Sequence, residues 1–240
     1  MTNNPCIQLS QQLSAITSSG KSYEDIQGEV LSLLGAYTQA NTLWLDKAGQ
    51  VWAQSLRPDT HITLPMQADG VFLEPRLFSR LSQMEEGTNQ LDSPSPCQLL
   101  ILSPSSEGTL LLYRESQPFA DEAAFFAKLC LPVLILIQRL RSEKDLENQH
   151  QQIQLVKAAM NTLSFTELEV VVRIFEQLGK EEGILVAGKV ADGLGITRSV
   201  VVSALRKLES ARIIETRSLG VKGTYIKVIN PLWMREIEKL

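Results

Sequence analysis

Histidine is nearly absent from this chain: His61 and His150 are the only two in 240 residues. A Ser-His-Asp relay or a His-based zinc centre therefore has little material to work with. Cysteine is scarce as well, and Cys6, Cys97 and Cys130 are odd in number and far apart, with no CxxC pair. They read as buried or incidental thiols, not as a disulfide framework or a metal ligand set. No motif brings a nucleophile, a base and a charged partner together, so catalysis is not expected.

Long apolar runs are missing too. The longest, Leu129 to Ile137 (LCLPVLILI), is far short of the ~20 residues that cross a bilayer. Pro132 within it and Arg139 just after it fit a buried helix, and no membrane association is expected. The start, MTNNPCIQLSQQLSAITSSG, has neither a basic opening nor a continuous apolar core, which argues against a secretory signal and for a cytoplasmic protein.

The composition that remains is ordinary: 44% hydrophobic and 21% charged, close to globular averages. A chain of this length suits two modest domains. The net charge is −4, yet the charge is unevenly spread. Between Lys189 and Lys227, eight basic residues (Lys189, Arg198, Arg206, Lys207, Arg212, Arg217, Lys222 and Lys227) stand against Asp192, Glu209 and Glu215. A basic head on an acidic body is what phosphate attraction requires, because that attraction depends on local charge.

Along the first part, apolar positions at helical spacing (Leu9, Leu13, Ile16; Ile26, Val30, Leu33, Leu34, Tyr37) predict two helices split by Ser18-Ser19-Gly20. Thr42 to Asp46 and Gln50 to Gln54, around Lys47-Ala48-Gly49, predict a β-hairpin. Loops and one short helix near Glu74 to Met84 are expected between Leu56 and Gly87. Gln98 to Leu102 and Thr109 to Arg114, joined by the turn-rich Ser103 to Gly108, predict a second hairpin. Hairpin, helical excursion, hairpin and helix make an α+β, sensor-like antiparallel sheet with helices against it. From Phe119 to Leu163 there is no glycine, and past Arg139 a sparse stripe (Leu140, Leu146, Ile153, Val156, Met160) marks a long linker helix. Such a helix either pairs across a dimer axis or runs solvated without a partner.

The last third reads as a winged helix-turn-helix. Ser164 and Glu167 have capping-box spacing, followed by Leu168, Val171, Val172, Phe175 and Leu178, with Gly179 as the stop. A short second helix, Leu185 to Leu194, ends at Gly195, which permits a left-handed turn, and Ile196 is the apolar plug. Thr197 then caps a third helix, Arg198 to Ala211. Its apolar side is Val200, Val201, Ala204, Leu205 and Leu208, and its polar side carries Arg198, Ser199, Ser203, Arg206 and Lys207. A helix fits the major groove of double-stranded DNA, where hydroxyls and guanidinium groups reach base edges and phosphates. Arg212 to Arg217 and Thr224 to Ile229 are β-rich and joined by a two-glycine bend, forming a wing whose Arg217 and Lys222 would hold the sugar-phosphate backbone. Lys189, Thr197, Arg198, Ser199, Ser203, Arg206, Lys207, Arg217 and Lys222 are thus the candidate DNA-binding residues. A solvated charged face and a plain structural hairpin are the competing readings.

The run from Ala187 to Val228, above all GITRSVVVSALRKLES and RSLGVKGTYIKV, closely resembles the DNA-binding region of the CodY family of nutrient-responsive transcription regulators, and the likeness extends back through LSFTELEVVVRIFEQL. The resemblance implies an intracellular homodimer, mainly a repressor, with a GAF-like sensor domain for branched-chain amino acids joined by a long helix to the winged helix. The layout expected is a sensor at 1–137, a linker helix at 138–163 and the DNA-binding domain at 164–240. GTP is an effector of some members, but no GxxxxGK[ST] loop is found here to bind it.

The chain departs from the family pattern in its sensor. The family's ligand-holding arginine, methionines and Phe-Pro pair correspond here to LRPDTHITLPMQADGVFLEP, with Leu64 at the arginine position and Leu73 after Phe72. Arg57 and Phe72 are the effector-binding candidates that remain, Arg76 being a second possible cation. In the winged helix Gly188, Gly193, Ser203 and Arg212 also differ, Arg212 standing where a glycine with positive φ is expected. Two readings follow: a metabolite-responsive regulator, or an effector-independent DNA-binding factor whose degenerate GAF-like domain only mediates dimerisation.

Overall fold

The computed structural model describes residues 4–59, 62, 64–68, 70–92, 96–103, 108–115, 117–178, 181–237 and 239. The expectations placed on Gly179 and on most of the Ser103 to Gly108 turn lie outside them. The chain divides into two compact units, Met1–Ser142 and Glu143–Leu240.

The first unit begins with α1 (Pro5–Thr17) and α2 (Tyr23–Thr38), followed by β1 (Asn41–Leu45) and β2 (Val51–Ser55). Then come α3 (Pro75–Leu81), β3 (Gly87–Leu91), β4 (Cys97–Leu102) and β5 (Thr109–Arg114). The five strands form one antiparallel sheet in the order β2-β1-β5-β4-β3. Strand periodicity separates the side chains cleanly. Leu100, Leu102, Leu110 and Leu112 face one core with Leu9, Leu13, Val30 and Leu34 of the first two helices. Leu99, Ile101, Leu111 and Tyr113 face another, with Leu64, Leu73, Leu77 and Leu81. A sheet covered on both faces explains why β4 and β5 read as continuous apolar runs instead of alternating.

α4 (Asp121–Thr162) is a single helix of 42 residues. Pro132 does not break it; the proline ring lies on the exposed side, where the carbonyl it leaves unbonded can meet water. By length and composition this helix would suffice to cross a bilayer, but Ala123, Phe126, Ala127, Cys130, Leu134 and Ile137 on one of its faces are core residues of the first unit. Gln138 is also buried there, accepting a 2.9 Å hydrogen bond from Gln27 Nε2.

The second unit contains the end of α4, then α5 (Phe165–Leu178), β6 (Glu182–Leu185), α6 (Ala187–Leu194), α7 (Arg198–Ser210), β7 (Ile214–Ser218), β8 (Thr224–Val228) and α8 (Leu232–Ile237). Its sheet has the order β6-β8-β7. Val156 and Ala159 of α4 are buried in this unit's core, together with Val170, Val171, Ile174 and Phe175 of α5. Trp233 of α8 is fully buried and packs edge-on against Phe175, with ring centroids 6.0 Å apart. The last turns of the long helix are therefore part of the winged-helix core.

Three elements depart from the sequence reading. Leu185 belongs to strand β6, pairing with Thr224, and the second helix starts only at Ala187. β3, with the sequence GTNQL, is an edge strand whose mostly polar side chains give no apolar signal. The buried face of α5 is centred on Val170, Val171, Ile174 and Phe175, with Leu168 and Val172 at its flanks.

Candidate nucleic-acid interface

The turn between α6 and α7 sets the geometry. Gly195 adopts φ +66°, ψ 31°, and the Ile196 N–H returns to Ala191 O at 3.0 Å, closing the helix end. Ile196 packs partly buried against the core. The chain then enters α7 at Thr197, whose hydroxyl turns to Ser199 Oγ at 2.8 Å and makes no capping bond to the backbone. The expected side-chain cap is thus missing; Val200 N–H donates to Thr197 O at 3.1 Å, and the Arg198 and Ser199 N–H groups receive no capping bond from the Thr197 side chain.

α7 fixes itself by its apolar side, with Val201, Ala204, Leu205 and Leu208 buried. Its other side borders an open groove of about 770 Å³, lined by Arg198, Ser199, Val202, Ser203, Arg206 and Lys207, among others. Arg198, Ser199 and Arg206 are exposed. Ser203 and Lys207 are more deeply set, and both are held by one carboxylate.

That carboxylate is Glu167 at the start of α5, only 6% exposed. The capping box is present, with Ser164 N donating to Glu167 Oε2 at 2.8 Å and Glu167 N donating to Ser164 Oγ at 3.3 Å. Its second role is tertiary. Lys207 Nζ donates to Oε2 at 2.6 Å and to Thr162 O at 3.0 Å, while Ser203 Oγ donates to Oε1 at 2.8 Å. Burial pushes the Glu167 pKa up, but the bonds from Lys207, the Ser164 backbone and Ser203 outweigh it and hold the group at about 2. The ionised carboxylate thus holds the polar side of α7 in place, and Lys207 also reaches Thr162 O at the end of α4. Sequence reasoning saw Glu167 only as half of a capping box. Its place on the same helical face as Val170, Val171 and Ile174 was the available signal.

The wing follows at once. Arg212 takes φ +56° directly after α7, the left-handed conformation expected at this position and one that glycine adopts at less cost. β7 and β8 pair from Ile214↔Val228 to Ser218↔Thr224, and Gly220–Lys222 forms a short 3-10 turn at the tip. Gly223, at φ +111°, lies so near β6 that a Cβ would stand 2.3 Å from Leu185 O. Arg217 and Lys222 are exposed on the wing, and Lys189 is exposed on α6.

The effector candidates are placed differently. Arg57 is held by Asp59 through a bidentate pair at 2.9 and 2.6 Å, and Phe72 is bridged to Gln50 on the edge of the sheet. Neither lines a cavity of about 260 Å³ bounded by Leu45, Lys47, Phe78, Glu86, Ile101 and Thr109, among others, nor a more open pocket of about 350 Å³ between Ser10, Leu13, Thr17, Leu129 and Val133. Leu64 is a core residue at 6% exposure.

Three helices, a glycine turn and a basic β-wing define a winged helix-turn-helix, the architecture of a DNA-binding regulator. Residues 181–240 match the CodY helix-turn-helix domain. Relatives named global transcriptional regulator CodY, from Bacillus mycoides, Bacillus cereus and Bacillus licheniformis, are 47% identical over 133 residues. The match takes in 55% of this chain, and the chain spans about half (51%) of the length of these curated relatives. Among solved structures, the cofactor-binding GAF domain of the nutrient sensor CodY from Clostridium difficile is similar to 56% of the chain, over 98% of its own length, at a TM-score of 0.38 and 16% identity.

Proposed function

We propose that this protein is a CodY-like, cytoplasmic transcription regulator, mainly a repressor, that binds double-stranded DNA as a homodimer. The observation that carries this reading is the exposed row Arg198, Ser199 and Arg206 along an open groove, beside a wing bearing Arg217 and Lys222. Arg198 and Ser199 meet base edges or phosphates at the open helix N-terminus, and the wing cations hold the backbone in register. Phe125, Leu136 and Leu140, exposed large apolar side chains whose spacing places them on one side of α4, support pairing of two copies through that helix.

The amino-terminal unit is the GAF-like sensor in this proposal, and a small metabolite binding there changes DNA affinity by favouring one arrangement of the linker helices. A branched-chain amino acid is the first candidate effector. A second reading, dimerisation without sensing, draws on the burial of Leu64 and the capture of Arg57 by Asp59, since a buried ligand carboxylate needs a free cation. Gel-shift titration of the full chain with promoter DNA, with and without isoleucine, separates them. A shift in affinity supports amino-acid sensing; unchanged affinity supports the second reading, and absence of any retarded complex removes both.

A further inference from the structure

Ser203 lines the groove one helical turn beyond Ser199. A serine hydroxyl has one proton and two lone pairs, so a free serine can donate to a base or accept from one. This serine has already committed its proton. Its Oγ donates to Glu167 Oε1 at 2.8 Å, while Oε2 of the same carboxylate takes Lys207 and the Ser164 N–H. With the carboxylate buried and ionised, it can only accept. The part of Ser203 that borders the groove is therefore left with lone pairs and no proton.

We propose that Glu167 is a specificity-determining positioning residue that makes Ser203 an acceptor-only reader of the major groove. Such an oxygen takes a hydrogen bond from the N6 amine of adenine or the N4 amine of cytosine. It has no proton for guanine O6 and N7 or for thymine O4. Glu167 itself does not reach the DNA; it acts through the serine. The inference rests on α7 being the helix that enters the groove.

The test is selection of bound duplexes from a randomised library, using the full chain as wild type, Ser203→Ala and Glu167→Gln. Wild type is expected to favour adenine or cytosine at one position of the selected site by roughly 5-fold or more, the range of a good base contact. Ser203→Ala flattens that position to within about twofold and leaves the other positions and the salt dependence unchanged. In Glu167→Gln the side-chain amide can donate to Ser203, so the hydroxyl turns outward as a donor and guanine or thymine gains at that same position. If Glu167→Gln does not fold, the Ser203→Ala result decides alone. Salt-sensitive binding with every positional preference retained in Ser203→Ala overturns this inference and leaves the DNA-binding proposal standing, as does flattening at a position that favours guanine or thymine. No binding by wild type removes both.

Discussion

Replacing Glu167 by alanine removes a buried carboxylate that accepts from Lys207, Ser203 and the Ser164 N–H at once. Hydrogen bonds to charged groups contribute about 1.5–3 kcal/mol each, and loss of a helix cap costs about 1 kcal/mol. Lys207 keeps Thr162 O and is 39% exposed, and Ser203 can turn to water, so part of the loss is recovered. A destabilisation of roughly 2–4 kcal/mol follows, which for a domain of this size lowers Tm by about 10–20 °C. The pH dependence supplies a second readout. The folded-state pKa of about 2 lies below the ordinary 4.5, so the stability due to ionised Glu167 is fully present above the unfolded value. It is lost as pH falls from about 4.5 towards 2, and at roughly 1.4 kcal/mol per pKa unit its upper size is about 3 kcal/mol. Unfolding of the full chain, by calorimetry and by fluorescence of the buried Trp233, measures both effects. A gap between wild type and Glu167→Ala that is only ~2 °C near neutral pH, or that does not narrow in acid, refutes the reasoning.

Three further outcomes are expected. Arg212→Gly relieves a left-handed conformation worth about 1–2 kcal/mol, less the flexibility glycine adds to the unfolded chain, and so raises the Tm of the second unit slightly; a fall in Tm contradicts this. Gly223→Ala forces a Cβ to within 2.3 Å of Leu185 O at a positive φ, and denaturant titration should show a loss of more than ~2 kcal/mol. Gln138→Ala leaves the buried Gln27 amide nitrogen without its partner and costs about 1–3 kcal/mol in the first unit, whereas Gln27→Leu with Gln138→Leu is closer to neutral; denaturant titration of both variants measures the difference.

Local signals in the sequence carried far. Gly195, Ile196 and the alternation of Val201, Ala204, Leu205 and Leu208 announced the helix-turn-helix, because a positive-φ turn and a 3.6-residue period are properties of neighbouring residues. The two apolar hairpin strands and the long helix were legible for the same reason. The edge strands were not: β3 and β6 bury little, and β6 gains its identity from pairing with β8, far later in the chain. Nor could spacing show that Ser203 and Lys207 converge on Glu167, since 36 and 40 residues separate them from it. In the first unit, Arg57 could be picked as a spare cation, but its capture by Asp59 two residues away depends on side-chain geometry.

In the proposed function, the cationic side of α7 enters a DNA groove while the basic wing holds the backbone. The salt dependence of duplex affinity tests it most directly, comparing wild type with the combined Arg198→Ala, Arg206→Ala and Lys222→Ala chain after checking by circular dichroism that the variant is folded. The account predicts weaker binding and a log–log salt slope shallower by roughly 2–3, because each phosphate that a cation neutralises adds about 0.9 to the slope. An affinity and a slope both equal to those of wild type would contradict it.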